Sequence, residues 1–226
     1  MLQKTRKKVR RREVITGLII ILVAFSFVGS LLLDFDFMSP YATLQEDLAY
    51  LSDQIDNQKI SSWSWLATAL IIFIAIPFYV AIFTNRLRIL PYINGLFMLG
   101  ASSGFLVMGL LGLDLYQILI ITFGEGLEQV DEQMKLELLD RFREEQLYRH
   151  IGSSFVGLFA IGLSLTKFKL GRFPLFSTIL LILCGPALIF FNWYDPEHLI
   201  RTIAMAGIMI GVLVFCVRLI NRGLST

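Results

Sequence analysis

The sequence predicts an all-α, polytopic membrane fold of six transmembrane helices, with amphipathic helices on its outer surface. Three observations carry that reading. Val14–Leu33 is a run of twenty residues without a charge, enough at about 1.5 Å per residue to cross a hydrocarbon core of roughly 30 Å. Five further apolar segments follow in a chain of 226 residues that is 56% hydrophobic. Basic residues gather at alternate ends of these segments, as in proteins oriented by positive charge on the cytoplasmic side. The whole chain, 1–226, reads as a single membrane domain.

Lys4, Arg6, Lys7, Lys8, Arg10, Arg11 and Arg12 precede span one, 14–33. A secretory signal also starts with a basic run, but its apolar part is shorter and ends at a small-residue site. Here Gly29-Ser30 is followed by three leucines, so an uncleaved anchor is expected. Nucleic-acid binding is set aside, because attraction to anionic headgroups accounts for basic residues beside a span.

The first outer segment, 34–62, is acidic. Ser39-Pro40 is a helix-start signal, and Leu44, Leu48, Leu51 and Ile55 then mark one apolar stripe. Span two is 63–84, with Trp63 and Trp65 placed as an interface belt and Pro77 expected to kink it. Asn85–Arg88 forms a tight turn into span three, 89–113, where Pro91 falls in the tolerated first turn.

The second outer segment is 114–150. Leu115–Gly124 is apolar but too short to cross, and reads as an interfacial extension. Glu128–His150 is charged, yet Leu127, Val130, Met134, Leu138 and Phe142 mark one helical face. Glu137 and Arg141 are spaced for mutual support. This segment is the expected surface for a protein partner, with docking on the Leu44–Ile55 helix as the competing use of its apolar face.

Span four, 151–166, is the shortest, with Lys167 expected to snorkel outward. Span five is 174–192 and contains Pro186. Span six is 199–217. Alternation from an inside amino terminus puts 14 of the 20 basic residues on inner segments. Both termini are therefore expected in the cytoplasm, with the protein in the cytoplasmic (inner) membrane.

Small residues recur at helical spacing: Gly100 and Gly104, then Ser153, Gly157, Ala160 and Ser164, then Gly207 and Gly211. Such stripes let helix backbones approach in lipid. Packing inside one bundle is the expected use, and a dimer face the alternative. The sequence implies no oligomeric state.

Chemistry is sparse. Gly100-Ala101-Ser102-Ser103-Gly104 resembles the G-x-S-G motif of the rhomboid peptidases but carries an extra residue, and Ile203–Cys216 lacks the histidine base. Ceramidase-type hydrolases share the span number but use several histidines on zinc. Here only His150 and His198 exist, at different helix ends, each within reach of glutamates such as Glu144, Glu145 or Glu197. Cys184 and Cys216 fall in apolar segments and read as small buried residues. No catalytic, cofactor-binding or metal-ligating residue is predicted. Pro77 and Pro186 interrupt the second helix of each three-span half, a pattern that points toward a transport site.

The basic start, Pro77-Phe78-Tyr79 before a basic turn, and Lys169-Leu170-Gly171-Arg172-Phe173-Pro174 resemble an uncharacterised family of bacterial multi-spanning proteins known as a domain of unknown function. The resemblance covers Val14 to Ile220 and implies no activity. The functional expectation is a non-enzymatic accessory or interaction protein of the cytoplasmic membrane. The alternative is a facilitative carrier of a small apolar or amphipathic solute.

Overall fold

The structure, a computed structural model, describes residues 2–33, 55–124, 132–170, 174–194 and 199–224. It contains six helices among the described residues: α1 Leu2–Leu33, α2 Ile55–Leu87, α3 Leu90–Gly124, α4 Glu132–Leu170, α5 Leu175–Tyr194 and α6 Leu199–Leu224. Five of them, all but α4, are long and apolar enough to cross a membrane. The Leu44–Ile55 stripe and His198 lie outside the described residues, apart from Ile55 itself.

Each helix packs against its chain neighbours, and α6 returns to pack on α1, so the six close into a ring. Cross-contacts fix the alternating direction. Ser30 bonds Ser64 at 2.6 Å while Ser26 bonds Thr68 at 2.6 Å. Ser102 of α3 donates to the carbonyl of Ala69 of α2 at 2.8 Å. Hydroxyls suit such contacts because lipid offers no competing water, so a bond between helices holds them where burial gives little drive.

The glycine stripes are spent inside this ring. A Cβ on Gly104 would lie 2.8 Å from Gly152 Cα, and one on Gly100 would enter the Phe155 ring. Gly207 and Gly211 face Cys184 and Leu181 in the same way. These faces are therefore intramolecular contacts, as expected of a bundle that needs close backbones.

Two aromatic groups fill the ring. Phe27, Trp65 and Phe105 meet near one end, with Trp65 and Phe105 centroids 4.7 Å apart. Tyr79, Phe83, Phe159 and Phe215 meet near the other. Between them lies an apolar cavity of about 50 Å³, lined by residues such as Ile20, Ile72, Ala101, Val156 and Ile208. Trp65 thus corrects the belt expectation. It is fully buried, while its neighbour Trp63 faces outward as expected. Two residues along a helix turn a side chain by about 200°, so Trp63 and Trp65 take opposite environments.

Several expected boundaries dissolve. The turn between α2 and α3 is shorter than Asn85–Arg88, because α2 continues to Leu87. Arg88 closes the turn with φ of 43°, a left-handed conformation uncommon for a side-chain-bearing residue. Helices α2 and α5 run on through Pro77 and Pro186. Both prolines are exposed on the outside of the ring, so neither opens a broken helix toward its centre. Span three and the Leu115–Gly124 extension are one helix, as are Glu132–His150 and span four.

Those continuous helices build a headpiece. At 39 residues, α4 is about 58 Å long, nearly twice a hydrocarbon core. Its first half packs on the end of α3 and the start of α2. Leu138 is fully buried against Leu115 and Leu119, with Ile55, Ile118 and Phe142 around them. The Leu138 and Phe142 part of the expected face therefore docks intramolecularly, on α3 as well as on Ile55, while Met134 is exposed and Leu127 and Val130 lie outside the described residues. In water each such leucine contributes about 2 kcal/mol. Arg141 reaches Asp114 of α3 and Glu144, both at 3.9 Å, in place of the expected Glu137 pairing. These exposed pairs add little stability.

Candidate functional site

The most polar buried side chains form two layers, one toward each end of the ring. The layer at the end of the ring nearer the chain termini starts from Asn94, an amide in an otherwise apolar turn of α3. Its Nδ2 donates to Tyr79 Oη at 2.7 Å and to Thr166 Oγ1 at 3.1 Å. Thr166 in turn donates to the Gly162 carbonyl at 3.0 Å. Gly162 admits this arrangement, since any Cβ there would overlap Asn94 Oδ1.

Lys167 adjoins that triad and does not snorkel. It is 1% exposed. Its Nζ donates to Ser177 Oγ at 2.7 Å and to the Gly211 carbonyl at 3.2 Å, and lies 5.9 Å from the Phe215 ring centroid. The ammonium finds acceptors and an aromatic face inside the bundle, so it has no need to reach headgroups. It thereby ties α4 to α5 and α6. At the same end Glu13, also buried, lies 3.8 Å from Arg222 and joins α1 to α6.

The second layer sits under the headpiece. Gln58 of α2 donates to Glu145 Oε2 of α4 at 2.8 Å. Gly112 leaves the space this needs, being surrounded by Ser62, Gln58 and Glu145. Arg149, one turn along from Glu145, and Arg201 at the start of α6 are both buried. Hydropathy places Glu145 and Arg149 in the second outer segment and Arg201 just inside span six, and all three are buried in the folded chain.

His150 is paired with Asn192 of α5. Its Nδ1 lies 3.2 Å from Asn192 Oδ1, and Asn192 Nδ2 donates back to the His150 carbonyl at 2.7 Å. Trp193 Nε1 donates to Ser154 Oγ at 2.8 Å beside them. Burial lowers the imidazole pKa from its ordinary value; the Asn192 hydrogen bond opposes that, and the charges of Arg201 and Arg149 add to it. The neutral ring thus serves as a hydrogen-bonded clamp between α4 and α5.

Among the described residues no three His, Cys, Asp or Glu converge where a metal ion could be held. Ser102, the serine of the rhomboid-like run, has its hydroxyl bound to a backbone carbonyl. Both layers read chemically as interhelical ties. The signal for them that sequence reasoning missed is uncharged: Asn94 and Asn192 interrupt apolar runs, and an amide in such a setting needs buried partners.

Neither family models, nor curated proteins, nor solved structures give a match to this chain. The apolar helices and the ring they form define a multi-pass helical membrane protein.

Proposed function

We propose that this is a six-span protein of the cytoplasmic membrane, with both termini cytoplasmic, that acts as a non-enzymatic accessory protein through its outer headpiece. The observation that carries this reading is the division of the apolar residues in α4. Leu138 is spent on internal packing, while Leu136 remains 58% exposed on the same helix, near Met134. Ile121 of α3 is exposed as well. Apolar groups held out on a rigid, charged headpiece suit a protein partner better than lipid, whose anionic headgroups repel an acidic surface. The apolar filling of the ring supports an interaction role over the carrier alternative, which calls for a polar path through the bundle.

The test is site-specific photocrosslinking in cells, with the photoreactive residue at position 136 or at position 138. A discrete crosslinked species from position 136 and none from position 138 supports the reading. Identical behaviour at both positions, or no species at either, opposes it.

A further inference from the structure

One outer face of the α2–α3 pair carries a groove of about 580 Å³ between Phe73–Val80 and Tyr92–Leu99. Its volume lies within the range of roughly 300–1,000 Å³ typical of ligand sites. Gly95 supplies no side chain to fill it, and a Cβ there would stand 3.1 Å from Val80 Cγ2. Phe73 and Leu96 form its rims and are exposed.

The depth and charge of the groove select its occupant. Tyr92 lies one helical turn beyond Arg88, and Leu99 lies two turns deeper, so the groove spans about 6 to 16 Å from the turn. That matches one leaflet of a hydrocarbon core roughly 30 Å thick. Arg88, in the turn that joins α2 to α3, is exposed, and so is Tyr92, the lining residue nearest that turn on α3. Arg11, Arg12, Lys169 and Arg218 are exposed at the same end of the ring. A basic end of the bundle beside an apolar slot of leaflet depth complements a negative headgroup on an acyl chain.

We propose that the α2–α3 groove binds one acyl chain of an anionic glycerophospholipid, with the phosphate at Arg88 and the chain laid along Gly95. The site rests on the membrane embedding alone and is independent of any partner at the headpiece.

Native mass spectrometry of the purified, delipidated full chain tests it, with dioleoyl phosphatidylglycerol or dioleoyl phosphatidylcholine as the added probe. The wild type is expected to retain phosphatidylglycerol about five-fold better than phosphatidylcholine, the effect of roughly one arginine at a headgroup. Arg88→Asn, a residue that tolerates the left-handed turn, is expected to abolish that preference. Gly95→Leu is expected to lower retention of both lipids. Should that variant not fold, Phe73→Ala with Leu96→Ala removes the rims at exposed positions and is expected to lower both in the same way. Equal retention of the two lipids by the wild type overturns the proposal. So does unchanged retention in the groove variants, or a lipid-free dimer that the groove variants dissolve, which would make the face a site for a second copy.

Discussion

Gly157 of α4 and Gly185 of α5 face each other across the closest part of their helices. A Cβ on Gly157 would lie 2.8 Å from the Gly185 carbonyl oxygen, and a Cβ on Gly185 would lie 2.8 Å from the Gly157 carbonyl oxygen. The two backbones touch with nothing between them. Gly157→Leu is therefore expected to force α4 from α5 and cost about 1–3 kcal/mol or more. Leu158→Ile, one residue away, should cost less than about 1.5 kcal/mol as a volume-conserving change. Thermal unfolding of both variants in detergent checks the contrast.

Lys167 offers a sharper contrast, because its two ends of the bond differ in what they leave behind. Lys167→Met removes the charge and leaves Ser177 still bonded to the Pro174 carbonyl, 3.0 Å away. That variant is expected to stay within about 1 kcal/mol of the wild type, as when a buried polar group gives way to an apolar one of like shape. Ser177→Ala strips an acceptor from a buried ammonium and is expected to cost about 1–3 kcal/mol. Denaturant titration in micelles distinguishes the two, and the reverse order would show that Lys167 is not held as described.

The headpiece separates stability from recognition. Leu138→Ala should cost about 2–5 kcal/mol, because Leu138 fills the space between Leu115 and Leu119. Leu136→Ala, at an exposed position, should change stability by no more than about 0.5 kcal/mol while reducing any crosslink formed from the headpiece. Phe142→Asp belongs with Leu138, since Phe142 packs into the same cluster. Parallel measurement of melting temperature and crosslinking yield decides between these roles.

Much of this architecture was legible in the sequence. Apolar runs of bilayer length marked five helices, and the Gly100–Gly104 and Gly207–Gly211 spacings marked faces that meet neighbours. The helix ends were less legible. Hydropathy reports where lipid would stop, not where backbone hydrogen bonding stops, so α4 reads as two segments although it is one helix. Lys167 and Trp65 were misplaced for a related reason. Snorkelling and belt rules describe side chains that face lipid, whereas helical phase turns both of these residues inward. The Asn94–Tyr79–Thr166 triad draws on α2, α3 and α4, and no local spacing announces a contact between residues 72 positions apart.

The most direct test of the membrane topology is labelling of single cysteines by an impermeant thiol reagent in intact cells. Cys184→Ala and Cys216→Ala provide the background, with Lys59→Cys at the start of α2 and Leu224→Cys at the end of α6 as probes. Both positions are exposed. Labelling of Lys59→Cys in intact cells, with Leu224→Cys labelled only after permeabilisation, is the expected result. Labelling of Leu224→Cys but not Lys59→Cys in intact cells would contradict it.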